Sequence, residues 1–169
     1  VDYVFLAFDR AEYYRIPAMI LADGLLGQMM EPAVFPETEP VRHEKPWACN
    51  GHKNKRGKNV VNPPHLEASV LEGLVLERFM KYAEVEANEV RYEEYLTEDA
   101  EILLVGYGAS ARIARSAIDE AREKGVKAGL LRPITLWPFP NGRLKELAGK
   151  VKNVLVVEMS MGQMVHDVK

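Results

Sequence analysis

Residues 101–131 read EILLVGYGASARIARSAIDEAREKGVKAGLL and carry the clearest structural pattern in the chain. EILLV and VKAGLL are nearly continuous apolar runs, which is typical of strands buried on both faces of a parallel sheet. Between them, GYGAS predicts a tight turn and ARIARSAIDEAREKG predicts a helix that Gly125 is placed to end. Two buried strands around one helix within about 30 residues form a βαβ unit. The apolar face predicted for this helix consists of Ile113, Ala117, Ile118 and Ala121.

The flanking sequence extends this unit in both directions. After RPITLWPFP and the predicted helix NGRLKELAG, the apolar run NVLVVEM predicts a third strand. Before the unit, residues 65–96 read as one helix, residues 31–64 as a proline-rich linker, and IPAMILAD at 16–23 as a buried strand after a first helix. The predicted fold class is therefore α/β, a three-layer domain with a parallel sheet. Ligands of such sheets bind at the carboxyl ends of the strands.

Composition excludes several classes of function. The chain has 169 residues, a net charge of -3 and a pI near 5.9, which gives no general reason to expect nucleic acid or an acidic membrane surface as partner. No apolar stretch is long enough to span a bilayer. A single cysteine, Cys49, forms no internal disulfide and holds no iron–sulfur cluster alone, which suits a reducing cytoplasm. The helical patterns at both ends lead us to interpret the chain as a fragment of a longer one.

The turn after the first strand of the βαβ unit is the first candidate site. GYGASA matches G-x-G-x-x-A between a strand and a helix, where glycines let a phosphate approach the backbone. The acid that holds a ribose in dinucleotide-binding domains is missing at the end of the next strand, which offers Arg132, a residue suited to a 2′-phosphate. Gly106, Gly108, Ser110 and Arg132 are thus candidate cofactor-binding residues. An NADP-binding Rossmann-type reductase domain and a plain turn with Ser110 as helix N-cap both stay open.

The segment LWPFP, residues 136–140, is the second candidate site. Prolines at 133, 138 and 140 remove backbone donors and are expected to hold the segment extended. Leu136, Trp137 and Phe139 would then present an apolar surface, either to another domain or subunit or to the core of their own domain.

The remaining polar candidates point to no chemistry of their own. His43, Cys49 and His52 are three potential ligands in a spacing that matches no common zinc site, so we predict a polar loop and no metal site. Glu158 and His166 have no partner in the sequence pattern, and we expect ordinary roles at a strand end and a helix start. A basic run in the linker predicts a solvated turn, with a phosphate-bearing ligand or acidic partner as the alternative. It comprises Lys53, Lys55, Arg56 and Lys58.

Three runs resemble one known family. FDRAEYYRIPAMILADGLLGQMMEP, EDAEILLVGYGASARIARSAIDEAREKGVKAGLLRPITLWPFP and VLVVEMSMGQMVHDV resemble the alpha subunit of 2-oxoacid:ferredoxin oxidoreductases, most nearly the 2-oxoisovalerate or branched-chain type. The resemblance implies oxidative decarboxylation of a 2-oxoacid to an acyl-coenzyme A, with thiamine diphosphate and Mg²⁺, coenzyme A, and electrons passing through iron–sulfur clusters to ferredoxin. It implies a cytoplasmic hetero-oligomer, with a beta subunit that carries the diphosphate-binding domain, other subunits and ferredoxin as partners.

The resemblance also implies a division of the chain. Residues 1–38 are similar to the closing helix and strand of a thiamine pyrimidine-binding domain, residues 39–64 form a linker or arm, and residues 65–169 are similar to the carboxyl-terminal domain of transketolase. The activating glutamate, the magnesium–diphosphate motif and a cysteine cluster are absent, and ADGLLG at 22–27 is not that motif. We therefore expect a non-catalytic part of an enzyme that holds none of these cofactors alone. A pure subunit-interaction module is a further alternative.

Overall fold

The structure is a computed structural model that describes residues 1–35, 37, 41–62 and 64–169. These residues form two compact units. The first comprises residues 1–21 and 30–83, and the second comprises residues 22–29 and 84–169. The helices are α1 (Asp2–Tyr14), α2 (Gly24–Gln28), α3 (Ala68–Asn88), α4 (Gly108–Glu123), α5 (Asn141–Ala148) and α6 (Met164–Val168). The strands are β1 (Tyr92–Tyr95), β2 (Ile102–Val105), β3 (Ala128–Pro133) and β4 (Asn153–Val156).

The second unit contains a four-stranded sheet in the order β1-β3-β2-β4. Strand β2 pairs in parallel with β3 on one side and with β4 on the other, as the apolar runs predict. Strand β1 is antiparallel to β3 and forms one edge. The predicted βαβ unit is confirmed, and Gly125, at φ +83°, ends α4 in the left-handed conformation that glycine adopts readily.

Helices cover both faces of this sheet, which makes three layers. Successive strand residues point to opposite faces, so β2 and β3 contribute to two separate cores. The core beneath α4 contains Leu104, Ala111, Ala114, Ile118, Ala128 and Leu130. The core beneath α5 and α6 contains Leu103, Val105, Leu131, Leu144, Leu147 and Met164. The α/β class and its layered arrangement are therefore confirmed.

The strand predicted at 16–23 is wrong. Residues 17–23 pair with no strand in the described part of the chain, and Met19, Ile20 and Leu21 are exposed. The predicted glycine turn that follows is the short helix α2, whose first turn is capped because Asp23 Oδ1 accepts a hydrogen bond from Leu26 N at 2.8 Å. A short apolar run has no strand geometry without a neighbouring strand to pair with.

Two helix predictions also need correction. The sequence predicts one helix over residues 65–96, but α3 ends at Asn88 and the chain then forms β1, because Tyr92 to Tyr95 find ladder partners on β3. The apolar face predicted for α4 is only partly correct. Ile118 is buried as predicted, but Ile113 and Ala117 are exposed, and Ala114 is buried against the sheet in their place.

The first unit has little regular structure beyond α1 and most of α3. A hydrogen bond of 2.6 Å joins His43 Nε2 to Asp9 Oδ1, and the Arg15 guanidinium lies 4.6 Å from the centre of the Trp47 ring. Residues 41–62 form neither helix nor strand. No helix in the described ranges is both long and apolar enough to cross a membrane. The predicted boundaries 1–38, 39–64 and 65–169 stay predictions.

Candidate functional site at the carboxyl edge of the sheet

The turn between β2 and α4 is shaped by two glycines. A Cβ added to Gly106 would lie 3.1 Å from the carbonyl oxygen of Val157, so the glycine allows the end of β2 to lie close to the chain that leaves β4. Gly108 has φ +57°, in the region that favours glycine, and begins α4. The N-cap position belongs to Tyr107, which makes no side-chain cap. The prediction that Ser110 is the N-cap is wrong, since Ser110 lies inside the first turn and is buried.

Arg132 lies on β3 next to the edge strand. Its Nη1 donates a hydrogen bond of 2.8 Å to Oε2 of Glu93, the residue opposite it on β1. Arg132 also lines a small cleft of about 190 Å³ with the side chains of Arg112 and Arg115 from α4. In the part of the chain that the structure describes, Gly106, Gly108 and Ser110 are not among the residues that line this cleft.

The cleft beside Arg132 is lined by three arginines, two glutamates and one tyrosine: Arg112, Arg115, Arg132, Glu93, Glu94 and Tyr95. The Arg115 guanidinium lies 4.2 Å from the centre of the Tyr95 ring, a cation–π arrangement. The Tyr95 hydroxyl donates a 2.6 Å hydrogen bond to Asp119 Oδ1. This bond raises the pKa of Tyr95, because ionised tyrosine would lose its donor role and face a carboxylate. The cleft lining thus carries three guanidinium groups against two carboxylates, together with a neutral phenol.

The chain after β3 turns sharply instead of running on. It bends at residues 134 and 136–138, so the expectation of an extended segment is wrong. Thr135 holds the bend, because its Oγ1 accepts a 3.0 Å hydrogen bond from Arg91 N and donates a 2.7 Å bond to Pro138 O. The peptide bond between Trp137 and Pro138 is cis.

The three predicted interface residues differ in burial after this bend. Phe139 packs against the core beneath α5 and α6, and Leu136 is half-buried. Trp137 keeps 51% of its surface exposed. All three line a cavity of about 810 Å³. Phe139 therefore supports the domain's own core, whereas Trp137 is presented to the outside.

Glu158 follows β4 and organises the loop before α6. Its Oε2 accepts hydrogen bonds from Ser160 Oγ at 2.6 Å, Gln163 N at 3.0 Å and Met164 N at 2.9 Å. Oε1 accepts a longer bond from Val165 N at 3.3 Å. The Ser160 hydroxyl and these backbone donors lower the pKa of Glu158. Glu158 thus lies just after a strand, as expected, but sequence alone does not reveal that its carboxylate accepts hydrogen bonds from four donors in the loop and at the start of α6.

The potential metal ligands of the linker, His43, Cys49 and His52, do not form a metal-binding group in the described residues. In residues 41–62 and the other described ranges, no three His, Cys, Asp or Glu side chains lie close enough to hold a metal ion. Cys49 is exposed, and His52 Nδ1 accepts a hydrogen bond from Asn54 N at 3.1 Å. The basic run surrounds a turn in which Arg56 Nη2 donates to Ala48 O at 2.8 Å and to Asn50 Oδ1 at 2.9 Å. Lys53, Lys55 and Lys58 are exposed there, as a solvated turn requires.

The fold of the second unit is that of a known class of domain. Residues 100–169 match the family described as pyruvate:ferredoxin oxidoreductase core domain II. The structure is also similar to a 2-oxoglutarate:ferredoxin oxidoreductase from Magnetococcus marinus that was solved with 2-oxoglutarate, coenzyme A and succinyl-CoA bound. The TM-score is 0.54 at 22% identity, over 81% of this chain and 23% of the other. This likeness supports the fold alone.

Sequence relatives then identify the family. Ketoisovalerate oxidoreductase subunit VorB from Methanothermobacter marburgensis is 52% identical over 165 residues, which cover 96% of this chain and 46% of the relative. 2-Oxoglutarate synthase subunit KorA from the same organism is 31% identical over 201 residues, covering 99% of this chain and 52% of the relative. The chain belongs to the 2-oxoacid:ferredoxin oxidoreductase family, and it spans about half the length of the curated relatives it matches.

Proposed function

We propose that this chain is part of the alpha subunit of a thiamine diphosphate-dependent 2-oxoacid:ferredoxin oxidoreductase that acts on a branched-chain 2-oxoacid such as 2-oxoisovalerate. The observation that carries the proposal is the 52% identity to a ketoisovalerate oxidoreductase subunit over 96% of the chain, against 31% to a 2-oxoglutarate synthase subunit. The reaction would yield an acyl-coenzyme A, with electrons passed to ferredoxin. An NADP-binding reductase is not favoured, since these relatives are 2-oxoacid oxidoreductase subunits.

The described residues do not fit an iron–sulfur cluster or a magnesium site. The chain has one cysteine, and no group of three potential metal ligands forms in the described ranges. An iron–sulfur cluster needs several thiolates, and Mg²⁺ in such enzymes is bound by carboxylate and phosphate oxygens. We therefore assign the clusters, the Mg²⁺ and the thiamine diphosphate to other parts of the complex, including a beta subunit. This chain would contribute fold and assembly, in a cytoplasmic hetero-oligomer.

The carboxyl edge of the sheet is the part of this chain that we propose to lie near the bound substrates. Gly106, Gly108 and Ser110 stay cofactor-binding candidates in the turn before α4, where Gly108 leaves open space while Gly106 faces Val157 O and Ser110 is buried. Arg132 would supply a cation beside Arg112 and Arg115. A guanidinium in such a cleft suits a phosphate group of coenzyme A. Arg132 also pairs with Glu93 at 2.8 Å. A test must therefore distinguish the effect of losing the guanidinium from the effect of losing this ion pair.

Arg132 is tested in the intact complex with Arg132→Ala and, as the matched control, Glu93→Gln. Loss of a phosphate contact is expected to raise the KM for coenzyme A about tenfold in Arg132→Ala, as expected for one charge-assisted hydrogen bond. Glu93→Gln breaks the same ion pair but keeps the guanidinium, so its KM is expected to stay near that of the wild type. Unchanged kinetics in Arg132→Ala would remove Arg132 from the proposed site.

The proposed function is tested on the intact protein, purified anaerobically from its native source together with its partners. Bound thiamine diphosphate and iron are quantified, and coenzyme A-dependent dye reduction is measured with 2-oxoisovalerate, 2-oxoglutarate and pyruvate. Highest kcat/KM on the branched substrate is the expected result. A higher kcat/KM on another 2-oxoacid would overturn the proposal that the substrate is a branched-chain 2-oxoacid. A preparation without thiamine, iron or activity would overturn the function, and partner binding without cofactors would indicate a pure interaction module.

A further inference from the structure

The cavity of about 810 Å³ beside Trp137 is lined by α5 and by four other parts of the second unit. The bend after β3 supplies Trp137 and Leu136, and β1 supplies Tyr92. The end of α3 contributes Glu86, and α6 contributes Asp167. Hydrogen bonds from Thr135 hold the bend in place, so the half-exposed Trp137 is carried on a fixed backbone. A rigid, half-exposed tryptophan beside a cavity is typical of an anchor at a protein interface.

Negative charge exceeds positive charge in the lining of this cavity. Arg143 is the cation of the lining, and it is engaged on both sides, by Glu94 at 2.6 Å and by Glu146 at 2.7 Å. The bonds from Arg143 and Thr97 keep the pKa of Glu94 low, so that Glu94 is ionised at neutral pH. The lining thus carries four carboxylates and one guanidinium. Glu86 and Asp167 make no ion pair within the described residues.

We propose that this cavity receives a segment of another subunit that places an apolar side chain against Trp137 and a lysine or arginine between Glu86 and Asp167. The inference rests on the proposed function only in assuming that the chain assembles with other subunits. Charge complementarity selects the basic residue, because an acidic segment would meet four carboxylates. The apolar side chain follows from Trp137, which gains by burial only against a nonpolar or flat group.

Charge reversal tests the surface in the intact complex. Trp137→Ala and the double variant Glu86→Lys with Asp167→Lys are each expected to weaken subunit association about tenfold or more, the range of a hot-spot truncation. The matched control is Glu120→Lys with Glu123→Lys, which reverses two exposed carboxylates of α4 away from the cavity. The milder pair Glu86→Gln with Asp167→Asn keeps the test valid if the lysine variants do not fold. Dissociation constants come from analytical ultracentrifugation at several NaCl concentrations.

The expected signature has two parts. Wild-type association weakens as NaCl rises, and the neutral pair Glu86→Gln with Asp167→Asn shows a smaller salt dependence. Association that is equal in the cavity variants and the α4 control would overturn the proposal.

A photo-cross-linker at position 137 identifies what occupies the cavity. In the purified complex, p-benzoylphenylalanine in place of Trp137 is activated and the joined peptide is sequenced by mass spectrometry. The expected peptide belongs to a different subunit and has a lysine or arginine within about four residues of an apolar residue, the reach of one helical turn. A peptide without a basic residue, a second copy of this chain, or no cross-link would overturn the inference. Dye-reduction activity of the same preparation reports separately on the proposed function.

Discussion

At the residue scale, Gly129 shows how closely β3 approaches the loop that follows β1. A Cβ at this position would lie 2.6 Å from the carbonyl oxygen of Leu96 and 3.0 Å from Ala100 Cβ. The Leu96 carbonyl cannot easily withdraw, because Arg122 Nη2 donates a 2.8 Å hydrogen bond to it. Gly129→Ala is therefore expected to lower the free energy of unfolding by about 1–3 kcal/mol, as other overpacked substitutions do. Urea denaturation followed by circular dichroism measures the change.

Gly142 provides the matched control for Gly129. It lies in the first turn of α5, and no heavy atom lies within 4 Å of the position that its Cβ would occupy. Gly142→Ala is expected to raise the free energy of unfolding by about 0.5 kcal/mol, since alanine loses less backbone entropy in a helix. Equal effects of the two substitutions would contradict the steric account of Gly129.

Glu158 gives a prediction that depends on pH. The pKa of its carboxyl is lowered below the ordinary value of 4.5, so the carboxylate contributes stability that is fully present above that value. The contribution is lost as the pH falls through the lowered pKa. In an NMR titration from pH 7 to pH 3, the amide resonances of Gln163 and Met164 are expected to shift with one midpoint below 4.5. The Glu158→Gln variant is expected to lack that transition; a midpoint at or above 4.5 would refute the assignment.

Single residues also mark where sequence analysis of the site succeeds and where it stops. Gly106 and Gly108 are recognisable because a turn between a strand and a helix favours glycine, and the structure shows a close approach at one and a positive φ at the other. Serine is a common N-cap residue, which is why the sequence indicates Ser110 as the start of the helix. The helix in fact begins two residues earlier, at Gly108. Thr135 and Gly129 carry no local signal. Their roles depend on Arg91 and Leu96, which are distant along the chain.

At the element scale, α4 shows that a helix can be predicted correctly while only part of its buried face is. Ile118 is 1% exposed and packs in the core beneath the helix, whereas Ile113 is 65% exposed. Ile118→Ala is expected to lower the free energy of unfolding by about 2–5 kcal/mol, because it leaves a cavity in a close-packed core. Ile113→Ala is expected to change it by less than about 0.5 kcal/mol. Chemical denaturation of both variants compares them, and similar losses would contradict this orientation of α4.

The strands differ in how far their own sequences specify them. Strands β2 and β3 are buried on both faces, so each appears as a continuous apolar run that is visible without its neighbours. Strand β1 reads YEEY, and it is a strand because β3 offers it an edge to pair with. The run at 16–23 is apolar but finds no such edge among the described residues. Apolar content therefore predicts the central strands, whereas edge strands depend on tertiary pairing.

At the scale of the whole molecule, burial is concentrated in one of the two units. Both apolar cores consist of residues of the second unit. Among the described residues of the first unit, only Tyr14 is buried. Segments with few buried contacts open at low free-energy cost, whereas opening a core requires nearly global unfolding.

This contrast predicts the order of limited proteolysis by trypsin. Cleavage is expected first after Lys53, Lys55 and Lys58, because an exposed turn without strand or helix fits a protease active site. The first persistent product should retain residues 84–169, in which Lys124 is also exposed but lies in a turn closed by two hydrogen bonds to the end of α4. Mass spectrometry of a time course identifies the sites. Cleavage after Lys124 as early as in the basic turn would show that the core of the second unit opens as readily as the linker.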